Sequence, residues 1–262
     1  MCELLGLSAR YPVTLEMSLQ KLMQRAELSN PDGWGAVFYE QNDVYLFREP
    51  EPANNSMLAN FLAESGIASH LVLSHIRRAT SGSVELRNTH PFVRELNGCM
   101  HSFAFNGNVP GVFDLGLELS RFSPIGENDA EVAFCWLLKQ FSNEASKLDL
   151  KRTASILKSF GDQLAAMGPA NFLYSDSHYL YAYSSRRSHL DSVRPPGLHY
   201  ITRQCGQEHN SLPCVGLNVK TTVDTVQTVT LIASVPLSDE VWIPFAENQL
   251  LVLEKGQILK QE

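Results

Sequence analysis

The chain of 262 residues is 44% hydrophobic and 19% charged, which is the composition of an ordinary globular protein. Its 28 acidic and 21 basic side chains give a formal net charge of -7, so a surface built to bind nucleic acid is not expected. No apolar run reaches the roughly 18 residues that a membrane helix needs, and the start of the chain lacks the layout of a signal peptide. Five cysteines are too sparse for a disulfide framework, so a reducing cytoplasm is predicted.

The first half of the chain is predicted to combine short strands with two helices. Apolar residues recur at helical spacing in 18–28, and 57–64 is predicted to be a second short helix. Segments 34–39 and 44–48 flank a polar turn and predict a hairpin, whereas the apolar run 71–76 predicts a fully buried strand. Further strands are predicted at 2–8 and 102–105.

The second half of the chain is predicted to begin with two longer helices, which are followed by strands. Asn128 is a candidate N-cap for a helix over 130–146, with Glu131 as an acid in its first turn. A second helix is predicted over 151–167. The strands that follow are predicted at 171–174, 179–183, 198–203, 228–235 and 250–253. Helices grouped between two sets of strands favour an α+β layered sandwich, and the absence of a linker favours a single domain over 1–262.

Cys2 is the first candidate for chemistry, because removal of Met1 would leave it as the first residue. The new α-amine would have a reference pKa of about 7.7–8.0, so part of it is a neutral base near pH 7. A thiol and an amine on one residue form a self-contained nucleophile and base. Taken alone, a cysteine at position 2 is more simply accidental, and the other motifs decide between the two interpretations.

Residues after the buried strand at 71–76 could recognise a small anionic ligand. Arg77 leaves this strand and could present its planar guanidinium to a carboxylate, although an arginine at a strand end is also typical of a solvated edge. Thr80 and Gly82 shape the loop that follows. His90 is held extended by the proline after it, and a structural histidine is the simpler interpretation.

An Asn-Gly pair and a helix start complete the set of candidates. Asn106 and Gly107 follow a buried strand and predict a tight turn, but an asparagine amide beside a glycine N–H is also a minimal oxyanion hole. Asn128 suffices to cap the next helix, which leaves Asp129 free to contact a ligand ammonium group if the helix start faces a pocket. Each of these signals is ambiguous by itself.

Taken in chain order, these residues resemble the class II glutamine amidotransferases, a family of N-terminal-nucleophile enzymes. The matching elements are Cys2, Pro31-Asp32-Gly33-Trp34-Gly35, His75-x-Arg77-x-Ala79-Thr80-x-Gly82, Asn88-x-His90-Pro91, Asn106-Gly107 and Asn128-Asp129-x-Glu131-Val132. They lie within residues 2–132, and the start of the chain is most similar to the small stand-alone YafJ-type members.

The resemblance implies a four-layer αββα sandwich and a glutamine amidotransferase or glutaminase-type amidohydrolase. Cys2 would be the catalytic nucleophile, and Asn106 with Gly107 would form the oxyanion hole. The residues implied to bind substrate are Arg77, Thr80, Asp129 and His90. No metal or organic cofactor is expected. The expected ligand is glutamine or another γ-glutamyl small molecule, with a separate ammonia-accepting subunit as an optional partner and with neither nucleic acid nor membrane.

Three positions depart from the common pattern of the family. Arg78 stands where an aromatic residue is frequent, Ser81 where a histidine is frequent, and Glu3 where a glycine is frequent. These changes could widen the pocket beyond free glutamine. They leave the nucleophile and the oxyanion elements intact.

Two other functions are weighed against catalysis. A non-catalytic binding or scaffold subunit with the same fold is favoured if Met1 is retained, because the amine of Cys2 would then be part of an amide. A zinc site is the second alternative, but no Cys-x-x-Cys pair supports it and the spacing of the histidines does not suit one strand face. Its candidate ligands are His70, His75, His90, His101 and Cys99.

Overall fold

The computed structural model of the protein describes residues 2–17, 32–79, 82–119, 121–144, 148–188, 192–206, 217–223 and 225–262. The helix predicted at 18–28 and the candidate residue Thr80 lie outside these ranges. Among the helices that are described, none is long and apolar enough to cross a membrane.

Two antiparallel sheets form the body of the described structure. The strands are β1 (Glu3–Met17), β2 (Trp34–Glu40), β3 (Asp43–Glu49), β4 (Ala68–Ile76), β5 (Phe92–Leu96), β6 (Cys99–Gly107), β7 (Ala170–Ser175), β8 (Leu180–Ser184), β9 (Arg187–Ser188), β10 (Val193–Arg194), β11 (His199–Cys205), β12 (Leu217–Thr221), β13 (Gln227–Ala233), β14 (Ile243–Pro244), β15 (Gln249–Glu254) and β16 (Gln257–Gln261). The first sheet has the order β14-β11-β13-β1-β4-β2-β3, with β12 also paired to β1. The second has the order β16-β15-β8-β7-β6-β5, and β9 pairs with β10 in a separate ladder.

Helices lie on the outer faces of the two sheets. They are α1 (Met57–Glu64), α2 (Asp129–Ser142) and α3 (Leu150–Met167), with short 3-10 helices at Ala53–Asn55, Leu86–Asn88 and Pro110–Leu115. Ser56 caps α1 and Asp149 caps α3, each by accepting a hydrogen bond from a backbone N–H of the first turn. Apolar residues of α1 pack on the first sheet, and those of α2 and α3 pack on the second.

Side-chain alternation along the strands separates the apolar layers. Leu4 of β1 points into the layer between the two sheets, where it joins Leu173 of β7, whereas Leu5 joins the outer layer beneath α1. The order of layers is therefore helix, sheet, sheet and helices. This arrangement is the α+β αββα sandwich that the sequence resemblance implied.

Most predicted elements are present, and the differences lie at their ends and at the sheet edges. β1 runs on to Met17 through a register shift between Ser8 and Val13, instead of ending at residue 8. β5 and β16 are absent from the prediction because they are edge strands that mix apolar with charged residues.

Candidate active site

Cys2 lies at the start of β1, the central strand of the first sheet. Its Sγ is 3.2 Å from both the backbone N and the backbone O of Arg78, so the thiol accepts one hydrogen bond and donates another. The residue is half-buried, and its backbone O accepts a hydrogen bond of 2.7 Å from Nδ2 of Asn106. The candidate nucleophile is therefore held by the segment after β4 and by the end of β6.

The surroundings of Cys2 keep its thiol protonated near neutral pH. Burial raises the pKa of the thiol above its ordinary value, and the hydrogen bond from the Arg78 backbone and the charge of Arg77 only partly oppose this. Because a thiol is a much weaker nucleophile than a thiolate, attack on a carbonyl carbon at this site requires a base.

Asn106 and Gly107 lie beside the candidate nucleophile, but in a strand and not in the predicted tight turn. They end β6, where they pair with Asn171 and Ala170 of β7. The turn prediction is wrong because the chain continues into the 3-10 helix Pro110–Leu115, so no second strand follows to close a hairpin. The asparagine amide nevertheless lies beside Cys2, and its role as an oxyanion donor stays a prediction.

A close backbone approach requires glycine at position 107. A Cβ atom on Gly107 would lie 2.1 Å from the backbone O of Pro169, which is far inside van der Waals contact. The same oxygen accepts a hydrogen bond of 3.0 Å from the backbone N of Asn108. The glycine thus fixes the backbone at the second position of the predicted oxyanion hole.

A second asparagine, Asn171, supports the first and has no counterpart among the predicted site residues. Its Nδ2 donates to the backbone O of Asn106 at 3.0 Å and to that of Arg186 at 2.8 Å. Its Oδ1 accepts from the backbone N of Ser185 at 2.9 Å. The side chain is fully buried, so it satisfies backbone groups that water cannot reach. A polar amide at the start of the apolar run 171–174 is the sequence signal that could have identified it.

Arg77 is buried where the chain leaves β4. Its backbone N donates to Gly33 O at 2.8 Å, and its backbone O accepts from Asp32 N at 2.8 Å. Its Nη2 donates to Gly82 O at 3.2 Å. Burial lowers the pKa of the guanidinium and the nearby Asp32 carboxylate raises it. The charge of Arg77 also acts on the thiol of Cys2, and the contact of the guanidinium with a substrate carboxylate stays a prediction.

Two buried histidines, His75 and His90, lie near Arg77 with their ring centroids 4.3 Å apart. Burial lowers the pKa of His75 to about 3 and that of His90 well below its ordinary value, and the charge of Arg77 contributes to both shifts. Both rings are therefore neutral at physiological pH. The observed ring contacts of His90 are with His75 and Phe92, and its contact with a substrate stays a prediction.

Asp129 lies in the first turn of α2. Asn128 Oδ1 accepts from Glu131 N at 2.9 Å, which confirms the predicted N-cap. Asp129 Oδ2 accepts from Val109 N at 2.6 Å, and its Oδ1 accepts from Ala130 N at 3.0 Å. The carboxylate therefore ties α2 to the loop directly after β6, a structural role that the sequence did not reveal. Its contact with a ligand ammonium group stays a prediction.

The described residues contain no cluster of three or more His, Cys, Asp or Glu side chains that could hold a metal ion. The histidines weighed as zinc ligands do not come together in one cluster. His101 forms a hydrogen bond with the hydroxyl of Tyr174, whereas His75 packs against His90.

Solved structures share this fold. The crystal structure of a predicted glutamine amidotransferase from Pseudomonas aeruginosa matches with a TM-score of 0.72 and 32% identity, over 99% of this chain and 100% of that one. The glutamine phosphoribosylpyrophosphate amidotransferase of B. subtilis matches with a TM-score of 0.61 and 16% identity, over 100% of this chain and 49% of that one. The sandwich is therefore that of the N-terminal-nucleophile amidotransferases.

Sequence comparison identifies the family. The sequence profile described as class II glutamine amidotransferases matches residues 1–262. YafJ of Escherichia coli (strain K12), whose name gives it provisionally as a glutamine amidotransferase, is 37% identical over 248 residues, which are 92% of this chain and 93% of YafJ. The chain belongs to the class II glutamine amidotransferases.

Proposed function

We propose that the protein is an amidohydrolase that cleaves the γ-amide of glutamine or of a γ-glutamyl compound through a thioester at Cys2. The observation that carries the proposal is the 2.7 Å hydrogen bond from Asn106 Nδ2 to the backbone O of Cys2, because it brings an amide donor next to the residue that carries the thiol. Membership of the family supports glutamine as the substrate class. The proposal requires the removal of Met1.

The proposed reaction begins when the free α-amine of Cys2 takes the thiol proton, directly or through a water molecule. Sγ attacks the γ-carbonyl carbon, a C–S bond forms, and the carbonyl oxygen gains negative charge. The amide of Asn106 and the N–H of Gly107 donate to this oxyanion. The C–N bond then breaks as the amine returns its proton to the leaving nitrogen. Water attacks the thioester, releases glutamate and restores the thiol.

Two charged side chains are proposed to hold the amino-acid end of the substrate. Arg77 would pair its planar guanidinium with the α-carboxylate, and Asp129 would pair with the α-ammonium group. The burial of Arg77 supports this role, because a charged hydrogen bond is stronger where water is excluded. Thr80 and His90 complete the proposed pocket.

The leaving group is proposed to be ammonia or a larger amine. Ammonia could pass to a separate subunit, whereas a γ-glutamyl peptide would release an amino acid or a peptide. Glutamate release from glutamine and from γ-glutamyl dipeptides distinguishes the two, provided that the intact mass of the protein shows loss of Met1. If processed protein releases no glutamate from either substrate, the proposal is wrong and a non-catalytic binding subunit is favoured.

Arg77→Lys is expected to raise the KM for glutamine about tenfold or more with a smaller effect on kcat. Lysine keeps the charge but loses the planar fork, and a hydrogen bond to a charged group contributes about 1.5–3 kcal/mol. Initial rates of glutamate release across a range of glutamine concentrations give both constants. Arg78→Ala is the matched control, because the Arg78 side chain is exposed, and its effect on KM should be far smaller. A normal KM for Arg77→Lys would show that the pocket is placed wrongly.

Asp129→Asn is expected to raise the KM for glutamine on the order of tenfold while the protein stays folded. Asparagine can still accept from Val109 N, but it lacks the charge proposed to pair with the substrate ammonium group. Loss of an acid from the first turn of α2 should lower the stability by about 0.3–1 kcal/mol, which a thermal melt measures.

The matched control for this change is Asp149→Asn, which alters an acid at the start of α3. Asparagine is as good an N-cap as aspartate, so both the KM and the Tm of this control should stay close to wild type. If Asp129→Asn lowers the Tm but leaves the KM unchanged, Asp129 only joins α2 to the loop after β6.

A further inference from the structure

Three buried polar residues that the proposed reaction does not use surround the start of β1: Glu3, Arg187 and Ser234. Glu3 Oε1 and Arg187 Nη2 form an ion pair of 2.8 Å, with side chains that are 1% and 8% exposed. Arg187 Nη1 also donates to the backbone O of Ser234 at 2.6 Å. The ion pair therefore joins the residue next to the candidate nucleophile to the chain just after β13.

Ser234 connects this ion pair to the start of β1, which follows Cys2, and to the side-chain amide of Asn106. Its Oγ accepts from Leu4 N at 3.0 Å and from Asn106 Nδ2 at 3.3 Å, and its backbone N donates to Leu4 O at 3.1 Å. Nδ2 of Asn106 carries two protons, and its other hydrogen bond goes to the backbone O of Cys2 at 2.7 Å. The bond to Ser234 is the longer of the two, so it is the one more readily exchanged for a substrate oxygen.

We propose that Glu3, Arg187 and Ser234 are positioning residues for the oxyanion hole. They hold the Asn106 amide in line with Cys2, and the Ser234 hydroxyl is the resting acceptor of the N–H that Asn106 gives to the oxyanion. The inference rests on the proposed function, because these residues act through Asn106. A donor that is already aimed needs no rearrangement when charge develops on the substrate, and this is how an oxyanion hole lowers the barrier.

The anchoring is rigid because all three residues are buried and belong to different parts of the fold. Arg187 comes from β9 of the separate β9–β10 ladder, Ser234 follows β13 of the first sheet, and Glu3 begins β1. Neither long side chain has solvent to move into, so the ion pair fixes the separation between the ends of these strands. The amide of Asn106 projects from β6 of the second sheet onto this fixed frame.

Kinetics of two variants test the proposal. Ser234→Ala and Arg187→Met are each expected to lower the kcat for glutamine hydrolysis about tenfold or more and to leave the KM within about twofold of wild type. In an Asn106→Ala background, Ser234→Ala should lower kcat no further, because its effect passes through Asn106. Glu240→Gln removes a different ion pair of a buried arginine, Arg203 on β11, and should leave kcat unchanged.

Three results of these kinetics would overturn the proposal. The first is an unchanged kcat in Ser234→Ala. The second is a full additional loss when Ser234→Ala is combined with Asn106→Ala. The third is a rise in KM without a fall in kcat, which would place these residues in substrate binding. Thermal melts establish that each variant is folded at the assay temperature.

The NMR signals of the Asn106 side-chain amide give a second measurement, which requires no turnover. In a spectrum of isotope-labelled protein the NH2 group gives a pair of peaks, and the pair that disappears in Asn106→Ala is that of Asn106. Ser234→Ala should shift this pair, and Glu240→Gln should not. A pair that does not respond to Ser234→Ala overturns the positioning role even in an inactive protein. An inactive wild type with the expected shift contradicts the proposed function alone.

Discussion

Replacement of Cys2 by alanine is expected to reduce glutamate release by several orders of magnitude. The largest expected reduction is about a millionfold, which is the loss of kcat in other hydrolases that lack their nucleophile. The thiol is the atom that forms the proposed thioester, so binding and the oxyanion hole alone would remain. Its hydrogen bonds are with the backbone of Arg78, and the residue is half-buried, so the fold should be unaffected. A glutamate assay and a thermal melt measure the two effects.

An affinity label separates this cysteine from the others. A diazo-ketone analogue of glutamine should add one mass equivalent at Cys2. Cys135 is the matched control, because it is fully buried and desolvation raises its pKa to about 11, which keeps it an unreactive thiol. Labelling at Cys99 or Cys135 in place of Cys2 would show that the nucleophile is assigned wrongly.

A chain that retains Met1 is expected to fold and to lose nearly all activity. The nitrogen of Cys2 is then part of an amide and cannot accept the thiol proton, and the raised pKa of the thiol means that little thiolate is present without a base. Expression with methionine aminopeptidase inhibited yields this form, and treatment with the purified peptidase should restore activity as the intact mass falls. The two forms share one sequence, so each is the control for the other.

Full activity with Met1 attached would exclude the N-terminal-nucleophile mechanism. Another base would then be needed, and the nearby histidines are poorly suited to that role. Burial holds the pKa of His75 at about 3 and that of His90 well below its ordinary value, so neither would drive removal of a proton from a thiol.

The pH dependence expected after removal of Met1 follows from the proposed role of the Cys2 α-amine as the base. The rate of thioester formation should rise with pH as the α-amine of Cys2 loses its proton, near or below its reference value of about 7.7–8.0. Burial lowers this pKa and a nearby carboxylate raises it. Glu3, whose own pKa burial raises to about 7, is such a carboxylate. Glu3→Gln should therefore shift the midpoint to lower pH, in addition to the fall in rate expected from the loss of its ion pair with Arg187. Single-turnover rates, measured at intervals of about one pH unit between roughly pH 6 and pH 9, give the midpoint of this pH dependence.

The sequence offers candidate site residues where they lie in short contiguous motifs. Asn106 and Gly107 are adjacent, and this local pattern is enough to predict an oxyanion hole there. Ser234 and Arg187 belong to no motif, and their hydrogen bonds with Asn106 and Glu3 join positions 128 and 184 residues apart. Nothing local distinguishes such a serine or arginine from one on the surface. The same limit explains why the turn prediction at Asn106-Gly107 is wrong, because pairing with β7 is a tertiary contact that overrides the local turn preference.

The central place of β1 in its sheet determines when the proposed catalytic centre can form during synthesis. The ribosome makes Cys2 long before β13, which pairs directly with β1. The hydrogen bonds between Leu4 and Ser234 join positions 230 residues apart, so these contacts around the start of β1 form only after Ser234 has been synthesised. A nascent chain that has not yet reached Ser234 would therefore carry the cysteine without the surroundings proposed for catalysis.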